Sequence, residues 1–172
     1  MFAIRCTRKL LKRGAPSKLE TPVAPTTVLG DWYANVLVTR PEHLVLCISE
    51  RTLLPVVVTA KDVRRLSERV VSAAQQMLAS IGLPQQDIDC ELREIQTSYL
   101  ATTLNRRVIG SLNDFMYHLE SGTGSNRSQS LQDRAYRLAS IPCAVLDYAY
   151  PREAAIAAFA ASHAVKAAKS AA

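Results

Sequence analysis

Val28-Leu-Gly-Asp-Trp-Tyr-Ala-Asn-Val-Leu-Val-Thr-Arg-Pro-Glu-His-Leu-Val-Leu-Cys-Ile-Ser-Glu-Arg-Thr-Leu-Leu-Pro-Val-Val-Val-Thr59 is the stretch that decides the fold. Three apolar, β-branched runs are separated by two short polar breaks. That pattern predicts an antiparallel three-stranded meander. In the first run Leu29, Asp31, Tyr33, Asn35 and Leu37 fall on one face, and Val28, Gly30, Trp32, Ala34, Val36 and Val38 on the other. The second set holds no polar side chain except the indole, which puts Trp32 in or beside the core. Leu44 to Ile48 is almost wholly apolar and reads as the central strand. Pro55 stands near the start of the third run, where an edge or strand end tolerates it best.

Outward from the meander, Phe2 to Thr7 reads as a further short strand, and Thr7 can also cap a turn or short helix from Arg8 to Arg13. Gly14 ends that helix. Ala15 to Thr26 holds Pro16, Pro22 and Pro25 and reads as an extended surface connection. On the other side, Lys61 to Ile81 carries the clearest helical periodicity, and Gly82 with Pro84 stops it. A second helix runs to about Ile95. Thr97 to Thr103 fits either a strand or a loop. Asn105 caps a helix from Arg106 to Ser121, and the polar stretch from Gly122 to Ser128 reads as a flexible loop. Leu131 to Ile141 is a shorter helix, Cys143 to Tyr148 a strand or extended segment, and Pro151 the first residue of the last helix. The expected class is α+β: a single domain over residues 1–151, with an antiparallel sheet, a meander of three to five strands, and helices packed mainly on one face. Residues 152–172 form an alanine-rich tail.

The net charge of +6 is unevenly placed. Arg5, Arg8, Lys9, Lys12, Arg13 and Lys18 precede the first acid, Glu20, and the remaining basic and acidic residues balance. This favours a local anion-attracting patch over a broad nucleic-acid surface. No apolar run approaches the ~20 residues that cross a bilayer, so the expectation is a cytoplasmic protein with no membrane partner. Cys6, Cys47, Cys90 and Cys143 lack the paired spacing of a zinc site, so no metal is expected. They read as reduced thiols acting as small hydrophobes. There is no phosphate-binding glycine loop, no G-x-S-x-G elbow and no H-E-x-x-H. No cofactor is expected.

Three constellations stand out. Arg107, Ser111, Asp114 and His118 recur at four, three and four residues, one side of a helix. There His118 could move a proton, with Asp114 orienting it and Arg107 clamping an anion, or Asp114 and His118 could form an ordinary surface pair. Asp31 and Asn35 are polar groups in a strand, where such residues are depleted. They either line a site facing Arg106 or Arg107, or bond nearby backbone beside a bulge at Gly30. Arg8, Lys9, Lys12 and Arg13 could contact phosphates, or be a solvated face. His43, Glu50 and Arg51 sit in the two turns and read as solvated. His163, in the alanine-rich end, is given no role.

The segments Ile4-Arg-Cys-Thr-Arg-Lys-Leu-Leu11, Leu29-Gly-Asp-Trp-Tyr-Ala-Asn-Val-Leu37, Ser49-Glu-Arg-Thr-Leu-Leu-Pro55 and Arg107-Val-Ile-Gly-Ser-Leu-Asn-Asp114 together resemble an uncharacterised bacterial family, a domain of unknown function. The resemblance spans about Met1 to Pro151 and implies no activity. It draws attention to Asp31, Trp32, Asn35, Arg107, Ser111, Asn113 and Asp114. The leading expectation is a non-catalytic binding or regulatory module with a protein partner, using Asp31, Trp32, Asn35, Arg107, Ser111 and Asn113. One alternative is a phosphodiester-acting, nuclease-like toxin using His118 and Arg107. The other is nucleic-acid binding through Arg8, Lys9, Lys12 and Arg13.

Overall fold

Strands β1 (Phe2–Cys6), β2 (Trp32–Leu37), β3 (Leu44–Ser49), β4 (Pro55–Thr59) and β5 (Ser98–Thr102) pair in the order β4-β3-β2-β1-β5. The computed structural model describes residues 1–13, 23–40, 42–95, 98–123 and 129–170. Most of the expected proline-rich connection, the turn residue Pro41 and most of the expected polar loop after Gly122 lie outside the described residues.

The quoted stretch forms the expected meander, with its first strand confined to Trp32–Leu37. β2, β3 and β4 are an antiparallel meander, with Trp32 opposite Ser49, Leu37 opposite Leu44, and Ile48 opposite Pro55. Pro55 opens an edge strand, where its missing N–H costs no ladder bond. The rest of the sheet corrects the antiparallel expectation. β1 runs parallel to both β2 and β5, so the sheet is mixed. The reason is connectivity. Antiparallel neighbours can be joined by a tight turn, whereas parallel ones need a crossover of about a dozen or more residues. β1 reaches β2 through the long connection after Cys6, and β5 returns to β1 only after two intervening helices. Within the stretch that reads as either strand or loop, Ser98–Thr102 is thus an edge strand.

Helices α1 (Arg8–Leu11), α2 (Leu66–Ser80), α3 (Gln85–Ile95), α4 (Arg106–Thr123), α5 (Leu131–Leu138) and α6 (Pro151–Ser170) surround the sheet. Every residue of β1 and β3 is buried. A strand is buried throughout only when both of its faces are covered. Tyr33 meets the start of α4, where its Oη accepts the Asn105 N–H at 3.1 Å. Cys47 projects to the opposite face and feels the Arg69 guanidinium of α2. Helices therefore cover both faces, which revises the one-sided packing expected from sequence. Each fully buried Leu, Ile or Val of β3 contributes about 1.5–3 kcal/mol over its exposed state. Cys6, Cys47 and Cys143 are buried and all four thiols are free. Burial pushes the Cys6 thiol up to about 12.

Residues 143–148 differ from the expected strand. A 3-10 turn, Ala144–Leu146, leads into Asp147 and Tyr148, both left-handed at φ 52° and 63°. Backbone bonds from Tyr148 N to Cys143 O at 2.9 Å and from Cys143 N to Ala149 O at 3.1 Å close the loop on itself.

At the end of the sheet opposite α1, α3 holds the chain that enters β2. The Glu91 carboxylate accepts Val28 N–H at 2.8 Å and Leu29 N–H at 3.0 Å. Gly30 then turns with φ +78°, and a Cβ there would lie 3.1 Å from Arg51 Cγ. Burial raises the Glu91 carboxyl above its ordinary 4.5, against the two N–H bonds that lower it. Just above that ordinary value the native state keeps a proton that the unfolded chain has lost. Glu91's contribution is therefore fully present below pH 4.5 and declines as pH rises through its folded value. Urea unfolding of Glu91→Gln between pH 4 and 7 is expected to lack that decline. An identical pH profile in the two proteins would contradict it.

Candidate functional site

The acid singled out in the first strand has a partner, and it is not Arg107. Asp31 is 0% exposed. Its Oδ1 accepts the Ala3 N–H at 2.8 Å, and its Oδ2 takes Arg5 Nε at 2.8 Å and a second guanidinium nitrogen at 2.7 Å. Arg5 also donates to the Thr102 carbonyl at 3.4 Å and lies over the Tyr33 ring. One two-pronged ion pair thereby ties β2, β1 and β5 together. Trp32 is equally buried, on the core face, and its Nε1–H has no partner among the described residues. Asn35 Oδ1 accepts from Thr7 Oγ1 at 2.7 Å and from Val36 N–H at 2.9 Å. No hydrogen bond or ion pair among the described residues joins Arg107 to Asp31 or Asn35. The hydrogen bonds of Asp31 run to Ala3 and Arg5 instead, and those of Asn35 to Thr7 and Val36.

The basic start of the chain and Arg107 both follow strands that end on the same side of the sheet. β1 and β5 are parallel, with Cys6 opposite Thr102. The segments that follow them, Thr7 to Arg13 and Thr103 to Arg107, leave the sheet at the same edge. Leu10 is buried and anchors α1, while Arg8, Lys9, Lys12 and Arg13 are exposed. Arg106 and Arg107 are exposed in the first turn of α4. No ion pair engages any of these six cations among the described residues. Asn105 caps α4, its Oδ1 accepting Arg107 N–H at 3.0 Å and Val108 N–H at 3.4 Å. The first turn of α4 contains no acid. Arginines there oppose the helix dipole, an arrangement that costs about 0.3–1 kcal/mol per charge. Glu50, just beyond β3, accepts from Tyr33 Oη at 3.3 Å. Burial, ahead of the other influences, pushes the Tyr33 phenol up, so it stays a donor to Glu50.

The polar stripe of α4 leads away from this edge into a cleft of about 400 Å³. Ser111, Asp114 and His118 line it, facing the 143–148 loop, with Tyr117 and Tyr148 at its margin. Arg107 and Asn113 are exposed and outside that lining. Ser111 donates to the Arg107 carbonyl at 3.4 Å. Tyr117 and Tyr148 are 70% and 74% exposed. The His118 ring meets Tyr117 edge-on, with centroids 5.9 Å apart. Burial, with the Asp114 charge added, pushes the Cys143 thiol up to about 11, so it stays a neutral wall of the cleft. His118 also lines a second cleft, of about 390 Å³, with Arg134 and Arg137 of α5. The helical spacing in α4 disclosed the stripe; nothing local disclosed the loop that faces it.

A larger cavity, about 660 Å³, lies elsewhere, between residues 26–28, α3 and α6. Sequence reasoning set His163 aside. Its Nε2 lies 2.6 Å from Asp87 Oδ1 and clasps α6 to α3. Glu91, Asp87 and Arg51 in this cavity already hold internal partners. No described helix is long and apolar enough to cross a membrane.

A family model described as a domain of unknown function, DUF6933, matches residues 3–154. The matched span contains the basic edge and the α4 cleft, but little of α6. No curated protein and no solved structure matches the chain.

Proposed function

The chain belongs to the DUF6933 family, and on that premise we propose that it is a non-catalytic binding module for the phosphate backbone of nucleic acid. The contact is made by Arg8, Lys9, Lys12 and Arg13 of the first segment together with Arg106 and Arg107 of α4. The observation that carries this reading is the parallel pairing of β1 with β5. It brings two cationic segments, remote in sequence, to one edge of the sheet. Six exposed cations on rigid supports attract a polyanion without reading its sequence. In open sheets, ligands favour the carboxyl ends of parallel strands, which is where this edge lies.

The supporting chemistry is electrostatic, not catalytic. His118 and Arg107 belong to different surroundings, since Arg107 lines neither cleft that His118 borders. The direct test is fluorescence anisotropy with a labelled dT12 oligonucleotide at low salt. Arg106→Glu/Arg107→Glu is expected to weaken binding by at least tenfold, by removing two attractive charges and adding two repulsive ones. Unchanged binding in that variant, with its fold intact by circular dichroism, would refute the assignment of α4 to the surface.

A further inference from the structure

Resting on the polyanion reading above, we infer that the α4 cleft is a seat for one unstacked base of a single-stranded nucleic acid, with selectivity for a base that presents an exocyclic amino group. Arg107, Ser111, Asp114 and His118 lie on one side of α4. At 1.5 Å per residue, Asp114 stands about 10 Å along the helix from Arg107. A strand whose phosphates are held at the basic edge passes directly over the cleft.

The cleft has the two elements that single-strand recognition uses: aromatic surfaces for stacking and a polar group for the base edge. Tyr117 and Tyr148 present their rings to solvent at its margin. Large apolar rings left this exposed are informative, because the core could have taken them. Tyr148 is also held in the left-handed region, which side chains other than glycine rarely occupy. Backbone strain of this kind persists only where surrounding bonds fix it, and it concentrates at binding sites. The bonds to Cys143 fix it here. Tyr117 is braced by the edge of His118.

Asp114 decides what enters. A carboxylate in the cleft repels phosphate, so the strand's backbone stays outside at the arginines. The same carboxylate accepts hydrogen bonds, and amino groups on base edges supply them, as when an acid accepts from cytosine N4. Thymine offers a carbonyl at that position and leaves Asp114 unpaired. Neighbouring Phe115 and Cys143 are buried and give the base an apolar floor. The volume, about 400 Å³, falls in the range of small-ligand sites, roughly 300–1,000 Å³.

The test uses the full chain and labelled dC12, dT12 and a 12-base-pair duplex at one low salt concentration. Wild type is expected to bind dC12 about tenfold tighter than dT12, and dT12 tighter than the duplex per strand end. Asp114→Asn should abolish the dC12 preference while leaving the salt dependence unchanged. Tyr148→Ala should weaken both oligonucleotides by about tenfold, again with an unchanged salt dependence. Equal affinity for dC12 and dT12, or no effect of Tyr148→Ala, would overturn the base seat and leave the polyanion reading standing. Failure of wild type to bind any of the three probes would overturn both.

Discussion

Raising the salt from 50 to 200 mM is expected to weaken dT12 binding by roughly three-hundredfold. Each phosphate neutralised on a single strand contributes about −0.7 to the slope of log affinity against log salt, and six contacts give a slope of about −4. The effect is large because none of the six cations is engaged by an ion pair among the described residues. Cations already paired with carboxylates would release few ions on binding. A scattered surface of the same net charge would give a shallow slope, because one strand could not reach all of it. Both cationic segments lie within the family match, residues 3–154.

Asp31→Ala is expected to cost about 3–5 kcal/mol of stability, because it leaves the Arg5 guanidinium charged and unpaired inside the sheet. Arg5 is only 7% exposed, and its neighbours Tyr33 and the Thr102 carbonyl cannot replace a carboxylate. The Ala3 N–H loses its acceptor in the same step. The loss falls on the junction of β2, β1 and β5, the part of the sheet where pairing is parallel and no tight turn helps. Asp31→Asn keeps an acceptor for Ala3 but not the charge, and is expected to fall between wild type and the alanine variant. Urea unfolding measures all three. A loss under about 1 kcal/mol in Asp31→Ala would show that β1 is held by packing alone. Asp31 therefore serves the scaffold: through Ala3 and Arg5 it ties β2, β1 and β5 at one junction.

How much of this is legible in the sequence depends on how local each signal is. The meander from Val28 to Thr59 was readable because its strands alternate and its turns are short. The helices from Lys61 onward were readable for the same reason, in their own period. The place of β1 between β2 and β5 was not, because Cys6 and Thr102 find each other across most of the chain and nothing in either segment names the other. The same gap explains Asp31. Its depletion from ordinary strands correctly signalled a needed partner, but that partner, Arg5, reads in sequence as one more charge of a basic start. Cys143 to Tyr148 looked extended because it is apolar. The left-handed turn at Asp147 and Tyr148 has no glycine or asparagine to announce it. On α4 the helical spacing disclosed Ser111, Asp114 and His118 as neighbours, while their cleft required the facing loop.

The most direct measurement of the central claim, that two remote cationic segments form a single surface, is the salt slope of dT12 binding in wild type and in Arg106→Ala/Arg107→Ala. A slope of about −4 in wild type, falling to about −3 in the variant, is the expected result. A variant slope equal to that of wild type, or a wild-type slope near zero, would contradict it.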